Sequence, residues 1–168
     1  MNFVKKEIAE LKGNPFTQIG EDWYLITAGT KEHYNTMTAS WGFMGVMWGK
    51  PTFICAVRTN RYTYSFMEES EVFTLCFFEK AYRPALQFCG TKSGRDHDKA
   101  KETGLTPIEI DGVMAFAEAS RIFVCKKCYS EMMKEEAFTE SAVYDKWYGT
   151  DPLHKQFFGE ILAVYEKE

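Results

Sequence analysis

Apolar and polar positions alternate in short runs along most of the chain, with a few stretches at helical spacing. Phe3, Val4, Ile8 and Leu11 recur near the helical period and predict a short helix over 3–11, ended by Gly13-Asn14-Pro15. Residues 22–29 read as a strand, 30–35 as a polar turn and 36–44 as a second strand. Thr52-Phe53-Ile54-Cys55-Ala56-Val57 is almost wholly apolar, as in a strand buried on both faces. Asn60 is the predicted N-cap of a helix over 61–69. A strand over 72–78 follows, then a short helix over 81–89 interrupted early by Pro84, and a Gly-flanked polar loop over 89–95. Asp96 to Thr103 predicts a capped helical turn stopped by Gly104. Asp111-Gly112 sits between two apolar runs, 108–110 and 113–116, and signals a hairpin. Strand character continues over 117–130. A short aromatic helix is expected over 140–148 and a last strand over 156–165.

This is an order of many strands with short helices in the connections. Regular alternation of strands with helices of about 10–15 residues would mark a parallel α/β fold, and the chain lacks it. A closed or nearly closed antiparallel barrel with helical excursions fits better. At 168 residues the chain fits one domain over 1–168, without repeats or linkers.

Composition narrows the function classes. The net charge is −4 and no long Lys/Arg run appears, which argues against a nucleic-acid partner. No apolar stretch approaches the ~20 residues of a membrane span, and the charged start Lys5-Lys6-Glu7 is unlike a signal peptide. A cytoplasmic protein without membrane contact is expected. Aromatics make up 16% of the residues, enough for a heavily packed core or for a site that stacks on flat ligands. The five cysteines, an odd number, argue against a disulfide framework and for thiols in or near the core.

Four stretches could carry chemistry. In Asn35-Thr36-Met37-Thr38-Ala39-Ser40-Trp41-Gly42, a strand would set Thr38 and Ser40 on one face, against Met37, Ala39 and Trp41 on the other. Hydroxyls and backbone amides could hold a polar ligand edge while the indole covers a flat part, or the run could be an ordinary half-buried strand. In Arg58-Thr59-Asn60-Arg61-Tyr62-Thr63, two arginines and two hydroxyls meet an expected helix start, a combination that attracts phosphate. The competing reading pairs these arginines with Glu68 and Glu69. In Cys89-Gly90-Thr91-Lys92-Ser93-Gly94-Arg95, the glycines would allow close backbone approach to a ligand, with Ser93, Lys92 and Lys99 as polar contacts, though the order is not that of a Walker phosphate loop. Cys125-Lys126-Lys127-Cys128 has dithiol spacing, but positions i and i+3 of a straight strand face opposite ways. No hydrolytic motif appears, and no catalytic acid or base is assigned.

Taken in order, these pieces resemble the flavin reductase-like family of FMN-binding split barrels, in particular its flavoredoxin-like branch. The matching segments are Asn35 to Gly42, Lys50-Pro51, Arg61 to Tyr64, Phe73-Thr74-Leu75, Cys89-Gly90, Ser93 to Asp96, Asp98-Lys99, Gly104-Leu105-Thr106, and His154 to Val164 with Gly159-Glu160. The resemblance implies a mainly β fold, a six-stranded antiparallel split β-barrel with short peripheral helices, forming a homodimer with FMN near the subunit interface. By the same resemblance, Met37, Thr38, Ala39, Ser40 and Trp41 line the flavin ring. Arg58, Asn60, Arg61, Tyr62 and Thr63 hold the ribityl phosphate. Cys89, Gly90, Ser93, Gly94 and Lys99 close on the flavin. The implied activity is hydride or electron transfer from NADH or NADPH through FMN to a small acceptor or a protein. The alternatives are an electron carrier without its own nicotinamide site and a non-catalytic split-barrel binding protein.

Overall fold

The computed structural model describes residues 2–168. Ten strands carry the fold: β1 (Phe3–Lys6), β2 (Tyr24–Gly29), β3 (Tyr34–Ala39), β4 (Gly42–Met47), β5 (Lys50–Arg58), β6 (Val72–Phe77), β7 (Pro107–Ile110), β8 (Val113–Phe116), β9 (Arg121–Met132) and β10 (His154–Lys167). The helices are short: α1 (Pro15–Thr17), α2 (Thr63–Glu69), α3 (Arg83–Thr91), α4 (Lys99–Thr103) and α5 (Ser141–Tyr148). The main sheet is antiparallel in the order β3-β2-β6-β9-β10-β5-β4, with β1 on the far half of β10, and β7-β8 forms a separate hairpin. β3 and β4 are consecutive in the chain but are not paired with each other, so they border the split in this mainly β barrel.

Period-2 alternation divides the apolar residues between two cores. Tyr24, Ile26, Met37, Ala39, Phe53, Phe73, Leu75, Phe123 and Phe157 fill one. Leu25, Cys76, Ile122 and Val124 point the other way, under Leu86 and Cys89 of α3 and the β7-β8 hairpin. Both faces of the central strands are therefore covered, which explains the unbroken apolar runs in their sequence. Asp111 (φ 49°) and Gly112 (φ 75°) form the expected hairpin turn. Trp48 (φ 53°) and Gly49 (φ 68°) make a second one between β4 and β5.

Several elements differ from the sequence reading. Residues 3–6 are a strand paired to Tyr165 and its neighbours, followed by one turn of 3-10 helix, because β10 extends far enough to offer them an edge. The expected strand over 36–44 is two strands broken at Ser40 and Trp41, where the buried Tyr24 hydroxyl donates to the Trp41 carbonyl (2.7 Å). Asn60 is exposed and caps nothing; α2 begins two residues past Arg61, after Tyr62. Cys89, Gly90 and Thr91 are the last turn of α3, so the loop starts at Lys92. β9 begins at Arg121 rather than 117. Cys125 is buried and Cys128 exposed, as strand geometry required.

Candidate functional site

The outer face of β3 is the floor of the site. Met37 and Ala39 face the core, while Thr38 turns outward and donates from Oγ1 to the Leu86 carbonyl of α3 (2.5 Å). The break after β3 leaves Ser40 half-buried and Trp41 37% exposed at the mouth. A cleft of about 330 Å³ opens there, lined by Met37, Thr38, Ala39, Ser40, Trp41, Ala56, Arg58, Arg61, Trp147 and His154.

The charges around it are unevenly compensated. Arg58 pairs with Asp151 (3.2 Å) and donates to the carbonyls of Trp147 (3.0 Å) and Pro152 (3.4 Å), so it fastens the C-terminal end of α5 across the cleft. Arg61 and Lys99 pair with no carboxylate among the described residues. Among the described residues the Arg61 guanidinium reaches only the Cys89 carbonyl (3.5 Å), and burial, then the neighbouring Arg58, lowers its pKa. Lys99 is 5% exposed and donates to the carbonyls of Thr36 and Cys89 (2.8 Å each). Burial is the main cause that lowers its pKa to about 8. Neither Glu68 nor Glu69 meets an arginine; Glu68 takes Lys155 instead.

Contacts from α2 and the 93–95 loop hold these groups in place. Asn35 donates to the buried Thr63 hydroxyl (2.9 Å), tying β3 to α2. Gly94 packs so closely that a Cβ there would lie 2.0 Å from Asn35 Oδ1. Gly90 runs against Thr38, Ser93 Oγ accepts from the Arg95 amide (3.2 Å), and the Arg95 guanidinium lies 4.7 Å from the Tyr62 ring centre. Of the residues expected at the site, Met37 to Trp41, Arg58 and Arg61 meet in the cleft. Tyr62, Thr63, Cys89, Gly90, Ser93, Gly94 and Lys99 stand behind or beside it, and Asn60 lies in the exposed turn. Among the described residues no group of three or more His, Cys, Asp or Glu could hold a metal ion.

A cleft walled by two indoles, beside two cations with no carboxylate partner among the described residues, suits an aromatic ligand that carries an anionic group. The family model described as a flavin reductase-like domain matches residues 17–168. The chain belongs to the flavin reductase-like family.

Among solved structures, this flavin reductase-like chain is similar to the FMN-binding domain of a flavin reductases-like enzyme from Shewanella baltica. The identity is 18% and the TM-score 0.69, over 98% of this chain and 77% of that one. Flavoredoxin of Desulfovibrio vulgaris shares 22% identity at a TM-score of 0.68, over 87% of this chain and 69% of that one. The styrene monooxygenase flavin reductase from Pseudomonas putida shares 14% at 0.64, over 88% and 79%. At such identities the likeness concerns the fold. No curated protein sequence matches the chain.

The sequence reading missed two cleft residues of this flavin reductase-like chain. His154 opens β10 opposite Arg58; its ring lies 5.0 Å from Trp41 and its Nδ1 is 2.8 Å from the Tyr148 hydroxyl. Burial and the nearby Arg58 lower its pKa to about 4, so the imidazole is neutral at ordinary pH. Trp147 meets the Trp41 indole edge-on at 5.0 Å. The pairing register of β10 with β5 brings His154 there, and the Arg58 contacts hold Trp147. In the sequence His154 figures only as the start of the matching His154 to Val164 segment, with no site role, and Trp147 leaves no local motif.

Proposed function

We propose that the chain is an FMN-binding oxidoreductase, which takes hydride from NADH or NADPH and passes electrons to a small acceptor or a protein. The observation that carries this reading is Arg61, a half-buried guanidinium opening on an aromatic-walled cleft with no carboxylate partner among the described residues. Leaving such a cation without a counter-ion is costly unless a ligand supplies one. A ribityl phosphate carries about −1.5 to −2 charge and meets that need. In this reading Arg61 takes the phosphate, with Lys99 behind it. The amides and hydroxyls of Thr38 and Ser40 take the polar edge of the ring, and Trp41 and Trp147 shield it from water. Arg58 orients α5. Bound FMN would supply the hydride and electron carrier; the side chains position it and tune its charge, which accords with the absence of an assigned catalytic acid or base.

The reading extends to a single-domain, cytoplasmic homodimer. Among the described residues no helix is long and apolar enough to cross a membrane. Phe16 is 86% exposed, Val46 77% and Trp48 58%, apolar side chains on and near β4 that a second copy would cover. Light scattering tests the dimer. For the activity, the protein is reconstituted with FMN and titrated anaerobically with NADH and NADPH. Bleaching of the flavin bands without a partner enzyme supports the reductase. Retained colour without bleaching points to an electron carrier, and failure to hold FMN overturns the reading.

A further inference from the structure

A second hollow adjoins the cleft and is not used by the flavin reading. It occupies about 290 Å³ between β4, β5 and α5, and shares Trp41, Ala56 and Trp147 with the cleft. The rest of its wall is apolar or aromatic, chiefly Phe43, Ile54, Phe138 and Val143. Among the described residues no charged side chain lines it. Arg58 and Lys146 contact the rings of Tyr148 and Trp147 without lining the groove. At its rim Gln156 is half-buried and its side-chain amide makes no hydrogen bond among the described residues. The Tyr148 hydroxyl is engaged by His154 (2.8 Å) and Met133 (3.4 Å).

We infer that this groove binds the electron acceptor, and that the acceptor is an uncharged quinone of one or two rings. The inference rests on the flavin reading above for its redox role, but the binding claim stands on the groove alone. A flat molecule is selected by aromatic walls, which favour stacked or edge-on rings. Charge is selected against, because an anion or cation would be desolvated there with no counter-ion. That removes the phosphate-bearing donors and free FMN as occupants. The Gln156 amide supplies a donor for a ring carbonyl, the group that separates a quinone from a plain arene. The shared indoles of Trp41 and Trp147 put the ring against the cleft that would hold the carrier. The reaction balances as one hydride from the nicotinamide donor and one proton from solvent, converting the quinone to its hydroquinone and the donor to its oxidised form.

The test is calorimetric titration of the full chain with 1,4-naphthoquinone and with its 2-sulfonate, which adds a negative charge to the same ring. Val143 is 38% exposed on α5, so Val143→Glu charges the groove without disturbing the core. Saturable binding of naphthoquinone is expected, at least tenfold weaker for the sulfonate and at least tenfold weaker in Val143→Glu. FMN affinity, titrated separately, is expected to be unchanged in the variant. Gln156→Leu is expected to weaken naphthoquinone and leave naphthalene unaffected. Equal or tighter binding of the sulfonate overturns the inference, as does no binding, or binding that survives Val143→Glu and is displaced by FMN. The FMN titration fails or succeeds independently, so loss of the flavin reading is distinguishable from loss of this one.

Discussion

Lys99 provides the sharpest test of the anion site, because its environment makes a signed prediction about pH. Its ammonium donates to the Thr36 and Cys89 carbonyls and is 5% exposed, which leaves a further N–H free for a ligand. Burial lowers its pKa to about 8 in the free protein. A bound phosphate favours the charged form and raises that value. Above about pH 8, then, binding FMN takes up a proton, and affinity falls as pH rises, by at most about tenfold per pH unit for one proton. The phosphate is already a dianion above about pH 7 and adds no slope of its own. Lys99→Met removes a charge-assisted contact of roughly 1.5–3 kcal/mol, so FMN should bind about 10- to 100-fold more weakly near pH 7, and the slope should vanish. The assay is quenching of flavin fluorescence from about pH 7 to about pH 9, with riboflavin, which lacks the phosphate, as control. A wild-type affinity that is flat across the window, or a riboflavin slope equal to that of FMN, refutes the assignment. The same shift affects stability with a definite sign. The unfolded state holds the Lys99 proton more tightly than the folded state, so the free protein should gain stability as pH climbs from about 8 towards the ordinary lysine range.

Other variants probe the remaining parts of the site. Arg61→Ala should weaken FMN by about 10- to 100-fold, through loss of a charge-assisted contact, while leaving riboflavin nearly unaffected in the same titration. Gly94→Ala places a methyl 2.0 Å from Asn35 Oδ1 and must displace the Asn35–Thr63 bond, so thermal melting should show a loss of about 1–3 kcal/mol. Asp151→Asn removes an exposed partner of Arg58 and should cost at most about 1 kcal/mol, yet speed proteolysis within 141–153 if Arg58 is the latch on α5. His154 is held neutral, with its folded pKa lowered to about 4 by burial. Stability should fall as pH drops from about 6.5 towards 4, and His154→Phe should flatten that part of the denaturation profile.

What could be read in the sequence and what could not differ by the range of the physics involved. Strand alternation is local, so Met37 and Ala39 were separable from Thr38 by period alone, and the structure turns them to opposite sides. The Asp111-Gly112 turn and the Gly104 stop are likewise local choices. The N-terminal helix failed because its apolar spacing is ambiguous over so few residues, and the free edge of β10 outweighed it. Asn60 failed as a cap because the turn after Arg58 runs two residues further before α2 starts.

The larger miss concerns Arg58 and Arg61, which look alike in sequence. Only the return of the chain at Trp147, Asp151 and Pro152 distinguishes them. Those groups take up Arg58, while nothing charged among the described residues takes up Arg61. A motif shows that cations are present. Which of them remains available to a ligand depends on partners roughly ninety residues away, as the Arg58 contacts show. The same return places Trp147 and His154 at the cleft, so α5 both restrains one arginine and builds the aromatic wall. A change that breaks the Arg58 contacts at the end of α5 should therefore alter flavin binding without touching any residue of the Asn35 to Gly42 stretch.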